Sequence, residues 1–143
     1  MEKFDDETYI VVENNHAKSH TMLPVHTLLD KNLSLNALGI LLRCVTYLEQ
    51  FPDRQDFCMK HFVSLCKEGS KSVTKYINEL VEKGYALKIY YNTVRPDGSI
   101  FEWKGMVQYY FSETKFTKKR IRQTVKFFEQ ENEDKVIVEI KSI

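Results

Sequence analysis

Apolar positions recur at helical spacing in three stretches of the chain and alternate with polar ones in the segments between. Leu38, Leu41, Leu42, Val45 and Leu48 mark the first helix, which Ser34 is placed to cap and which runs to about Glu49. Gly39 inside it points to a close helix–helix approach, because a mid-helix glycine otherwise costs about 1 kcal/mol against alanine. A shorter helix runs from about Met59 to Cys66, with Phe62, Val63, Leu65 and Cys66 available for burial. After the turn Lys67-Glu68-Gly69, Val73, Tyr76, Ile77, Leu80 and Val81 line one side of a second helix, capped by Ser70 or Ser72 and closed by Gly84.

Strand character follows at once. Leu87–Tyr91, Ile100–Trp103 and Met106–Phe111 read as a β-ribbon turning at Arg95-Pro96-Asp97-Gly98, where Pro96 pre-sets φ and Gly98 accepts a positive one. A further helix is expected from Thr117 to about Gln130, with Ile121, Val125 and Phe128 on one face. Val136–Ile140 is a last strand, with Tyr9–Val12 as a candidate partner. Leu23 to Asp30 holds a short helical turn, and Asn14–His20 and Phe51–Arg54 read as loops. The order helix, turn, helix, ribbon with a basic tip predicts an α+β winged helix-turn-helix with an additional C-terminal helix. Without repeats or linkers, 1–143 reads as one domain, its core over about 20–112 and both ends packing on it or forming a dimer contact.

Charge sharpens this picture. The net charge is only +1, but residues 54–126 hold fifteen basic and seven acidic side chains, against four and eight before them and two and five after. The basic block therefore coincides with the two-helix motif, the ribbon and the start of the last helix, as the footprint of a polyanion would. A merely solvated face is the bland alternative.

The second motif helix turns Lys71, Lys75, Asn78 and Glu82 away from its apolar side, with Thr74 at the flank. Lysine can donate to guanine O6 and N7, and asparagine pairs bidentately with adenine, so this face has the chemistry for base reading. Ser70, Ser72 and the amides beside them can hold a phosphate at the helix start. Arg95 at the ribbon tip, with Lys88 and Lys104 on its strands, can reach backbone phosphates, or can simply end a polar hairpin. Lys118, Lys119, Arg120 and Arg122 open the last helix while Glu129–Asp134 closes it. That order opposes the helix macrodipole and points to a phosphate contact or a partner subunit. The tyrosines and other aromatics of the strands suit packing or base stacking.

An enzyme is not indicated, since no phosphate loop, nucleophile elbow or carboxylate pair stands out. Cys58, His61 and Cys66 offer three ligands where a structural zinc wants four, and His16 and His20 lack the glutamate of a zinc-protease motif. No cofactor or metal is expected. The three cysteines read as reduced thiols, and with no signal segment or membrane-length apolar run the chain is expected in the cytoplasm, away from membranes.

Two runs carry a resemblance. Leu28-Leu-Asp and Leu33-Ser-Leu-Asn-Ala-Leu-Gly-Ile-Leu-Leu42 resemble the opening helix of winged-helix domains at the front of bacterial and phage replication proteins, among them replisome organisers and DnaD-like primosome proteins. Phe57, Leu65-Cys-Lys-Glu-Gly69, Val73 and Glu79-Leu-Val-Glu-Lys-Gly-Tyr85 resemble the same family's two-helix motif and strand entry. The resemblance covers about residues 20–112 and implies duplex-DNA binding in replication or in control of a bacterial or mobile genetic element. Many relatives carry a further helical domain. The 31 residues after Ser112 are too few for one, which favours a stand-alone, dimeric regulator of transcription or replication. The alternative is a protein-interaction or oligomerisation module of a replication or mobile-element complex, with a replication or regulatory protein as its partner.

Overall fold

A computed structural model describes residues 9, 11, 22–50, 59–101 and 106–143. Five helices and an antiparallel sheet make up a mixed α+β fold over these residues: α1 Val25–Leu28, α2 Leu35–Gln50, α3 Met59–Ser64, α4 Ser70–Lys83, β1 Ala86–Val94, β2 Ile100–Phe101, β3 Val107–Phe111, α5 Lys118–Glu131 and β4 Lys135–Lys141.

Ser34 caps α2 as its type suggests, its Oγ accepting from the Ala37 amide at 3.1 Å. The buried stripe of α2 is Ala37, Ile40, Leu41 and Cys44, one residue out of phase with the expected one; Leu38 and Val45 flank it and Leu48 is exposed. Ala37, fully buried, is the small residue facing the core, whereas Gly39 is exposed and a Cβ there would meet nothing within 4 Å. The close approach expected of Gly39 is thus absent. The stripe shifted because α4 presents Val73, Ile77, Leu80 and Val81, and these share one core with Ala37, Ile40, Leu41, Cys44 and Phe62 of α3.

Neither Ser70 nor Ser72 caps α4. Gly69 occupies the cap position without a side-chain bond, and Ser70 is the first helical residue. At the other end Gly84 adopts φ 93°, ψ 10°, the left-handed conformation expected of it, and its amide donates to the Val81 carbonyl at 3.2 Å.

β1 is the middle of the sheet. β4 pairs along it from Lys88↔Lys141 to Thr93↔Lys135. Thr93 also pairs with Phe101, and Lys88–Tyr90 with Val107–Tyr109, so β2 and β3 follow one another along the opposite edge. β4 takes β1 as its partner, which the sequence did not indicate; of its expected partner Tyr9–Val12, Ile10 and Val12 lie outside the described residues. The loops expected over 14–20 and 51–54 also fall outside the described residues.

Successive strand residues face opposite sides of a sheet. On one side Ala86 belongs to the helical core, and its partner Phe111, with Tyr109 two residues before it on the same face, packs against that core. On the other side Leu87 and Ile89 are fully buried, and Phe128 of α5, also fully buried, meets the Tyr91 ring at 5.4 Å. The sheet is therefore packed on both faces, by α2–α4 around Ala86, Phe111 and Tyr109 and by α5 on the other side, while Glu139 and Lys141 at the β4 edge of the first face are exposed. Thr117 caps α5, accepting from the Arg120 amide at 3.2 Å, while Ile121 and Val125 are half-buried beside Phe128.

Candidate nucleic-acid interface

α4 is held in one orientation by apolar burial and by a polar tether. Val73, Ile77 and Leu80 are essentially inaccessible, and the Glu79 carboxylate accepts from both the amide and the hydroxyl of Ser34, at 2.8 and 2.9 Å. With that side fixed, Lys71, Lys75, Asn78 and Glu82 form a single exposed stripe, Ser70 and Ser72 are exposed, and Thr74 is half-buried. Lys75 Nζ lies 5.5 Å from the centroid of the Tyr76 ring, and the Tyr76 hydroxyl accepts from the Asn36 amide at 2.9 Å. Among the described residues no carboxylate is within ion-pair distance of Lys71 or Lys75. Two cations and an amide are thus presented to solvent by a rigid helix, with one acid, Glu82, at its far end.

The ribbon turn forms as its residues dictate. The Gly98 amide, at φ 86°, donates to the Arg95 carbonyl at 2.8 Å, and the Arg95 amide donates to the Ser99 carbonyl at 2.7 Å. Asp97 accepts from the Ser99 hydroxyl and amide, which hold its carboxyl below the usual range. The tip also has acids beside it. Exposed Arg95 shares a shallow groove with Glu133 and Asp134, and the Val94 amide donates to the Asp134 carbonyl. The acidic turn between α5 and β4 therefore lies at the ribbon turn, beside the cation the sequence pattern placed there. Lys104 lies outside the described residues.

Lys88 is half-buried on the helix-facing side of the sheet, its Nζ 5.1 Å from the Tyr90 centroid and 5.5 Å from that of Tyr109. Two groups of strand aromatics thus serve different ends: Tyr91 packs under α5, while Tyr90 and Tyr109 sit beside a lysine.

The basic start of α5 is elsewhere. The Phe116 amide donates to the Gly84 carbonyl at 2.8 Å, placing Lys118, Lys119 and Arg122, all exposed, near the beginning of β1. At roughly 3.3 Å per residue, the length of β1 separates that end from Arg95. Arg120 is turned inward. Its guanidinium donates to Ser112 Oγ and Thr114 Oγ1, both at 2.8 Å, and lies 4.8 Å from the Phe116 centroid. It braces the β3–α5 connection, a role at odds with the phosphate contact its neighbours suggested.

Three features were missed by the reading of the chain. Lys141 of β4 stands directly opposite Lys88. Glu79 is a tether between helices. Asp30 accepts from the Tyr85 hydroxyl at 2.6 Å and pairs with Lys115 at 3.6 Å. Each depends on a contact far along the chain, and no local pattern announces it. Among the described residues no three His, Cys, Asp or Glu side chains gather as a metal site; His16, His20 and Cys58 lie outside them. No helix among them is long and apolar enough to cross a membrane.

No family model matches the chain, and neither a curated protein nor a solved structure matches it.

Proposed function

We propose that the protein is a non-enzymatic winged-helix protein that binds duplex DNA and regulates transcription or replication of a bacterial or mobile genetic element, as a homodimer at a repeated site. In this reading α3 and α4 are the two helices of the motif, β1 to β3 the wing, and α4 the helix that enters the major groove. One observation carries it: the stripe Lys71–Lys75–Asn78 is exposed and free of ion pairs among the described residues, on a helix whose other side is locked in the core. Lys71 and Lys75 then contact guanine edges or phosphates, Asn78 an adenine edge, and Ser70, Ser72 and Thr74 the adjoining backbone. The resemblance to the replication-protein domains adds the biological setting. Lys118, Lys119 and Arg122, at the opposite end of β1 from Arg95, contact phosphate outside the groove or face a second subunit.

Selection of bound fragments from random duplex DNA tests this. Enrichment of a defined site, with a half-site spacing near one helical turn for a dimer, is the expected result; no retention of any duplex at low salt contradicts it.

A second reading, a protein-interaction module, draws on apolar side chains around α1 and the start of α2. Met22, Val25, Leu29 and Leu35 are large apolar side chains left more than two-thirds exposed, around α1 and the start of α2. Light scattering with a candidate replication or regulatory protein separates the readings: tight association without duplex retention favours the second.

A further inference from the structure

Lys88 and Lys141 are directly opposed residues of adjacent antiparallel strands. Like charges in that position repel, so the arrangement works against the sheet it belongs to. Burial disfavours the Lys88 charge, but hydrogen bonds to Tyr90 and Tyr109 outweigh this and hold its pKa above the ordinary value, so the tyrosines and not an acid offset the repulsion among the described residues. Glu139, which pairs with Tyr90 on the same side of the sheet, is exposed, and among the described residues neither lysine has a carboxylate within ion-pair distance. Instead both ammonium groups lie against one ring, Lys88 Nζ 5.1 Å and Lys141 Nζ 5.6 Å from the Tyr90 centroid. Tyr109 completes a row across the three strands, Tyr109–Lys88–Lys141, with its ring 5.5 Å from Lys88 Nζ.

We propose that Lys88, Lys141 and Tyr90 form a phosphate-binding site on the helix-facing side of the sheet. Two ammonium groups and a phenolic hydroxyl offer charge and several donors to one compact anion. A phosphate, with its charge spread over several strong acceptors, satisfies both lysines at once and removes their mutual repulsion. The occupant is taken as a backbone phosphate of the bound duplex. That identification rests on the DNA-binding reading above; the site itself rests on the opposed lysines. It makes β4 part of the binding surface, a strand outside the motif.

Thermal unfolding in inorganic pyrophosphate, matched in ionic strength with sodium chloride, tests the site without DNA. The wild-type midpoint is expected to rise by several degrees, and the rise to fall by more than half in Lys141→Gln and in Lys88→Gln. Equal rises in wild type and both variants, or none in wild type beyond the salt control, overturn the site. The second arm measures duplex affinity against salt, where Lys141→Gln is expected to lower the slope by about one with sequence preference kept. Binding by wild type with an unchanged slope in Lys141→Gln overturns the inference and leaves the α4 reading standing. Pyrophosphate protection that is lost in the variants, together with no duplex retention by wild type, supports the site and overturns the duplex reading.

Discussion

Glu79 on α4 grips Ser34 at the start of α2 with both carboxylate oxygens, one on the backbone amide at 2.8 Å and one on the hydroxyl at 2.9 Å. Ser34 also caps its own helix, so a single serine ties the first turn of α2 to the middle of α4. The rotation of α4, and with it the direction of Lys71 and Lys75, depends on this tether as well as on the core.

Glu79→Ala is expected to lower stability by about 1–3 kcal/mol, since it leaves a half-buried amide and hydroxyl without their acceptor. Glu79→Gln, which keeps one carbonyl oxygen, should lose less. Urea unfolding of the three proteins checks the order, and a Glu79→Ala midpoint equal to wild type would show the tether to be idle.

Gly84 is the second fixed point. An alanine there carries the left-handed backbone at a cost of about 1–2 kcal/mol, and its Cβ would run into the Ile143 side chain. The unfolding temperature of Gly84→Ala should fall by several degrees, and that of Gly84→Asn by less, because asparagine tolerates this conformation better.

Asp30 and Tyr85 give a pH dependence at both ends. The hydrogen bond from Tyr85, then the Asn32 amide and Lys115, hold the Asp30 carboxyl below its ordinary 3.8. Its contribution is therefore complete above about pH 4 and lost as pH falls through the lowered value. Burial, then the bond to Asp30, pushes the Tyr85 hydroxyl up to about 12 from 10.0, so its contribution is complete below pH 10 and lost as pH rises toward 12. Asp30→Asn should flatten the acid limb and shift the alkaline one downward in thermal unfolding followed across pH. Unaltered limbs would mean that this pair does not set them.

Arg120 separates structure from binding. Arg120→Met gives up two hydrogen bonds to hydroxyls and the Phe116 contact, for a loss of about 1 kcal/mol at this half-exposed position. DNA affinity and its salt slope should not move. Lys118→Ala and Arg122→Ala are expected to do the reverse, lowering affinity with stability kept.

The α4 stripe was readable along the chain because one amphipathic helix determines both its buried and its exposed side: once Val73, Ile77 and Leu80 go inward, Lys71, Lys75 and Asn78 go outward. Gly84 and Gly98 were readable for the same local reason, a backbone that needs φ > 0. The placement of β4 was not, because a strand's alternation shows its faces and never its neighbour. Pairing with β1 opposed Lys141 to Lys88, and the turn before it set Glu133 and Asp134 beside Arg95. Gly39 misled because the residue at the helix contact is an alanine two positions earlier.

The most direct measurement is duplex affinity across salt concentration for wild type and for Lys71→Ala/Lys75→Ala, with folding of both verified by circular dichroism. Each lost phosphate contact lowers the slope of log affinity against log salt by about one. A weaker, flatter dependence in the double variant is the predicted result. Identical affinity and slope in the two proteins would contradict the assignment of α4 as the DNA-binding helix.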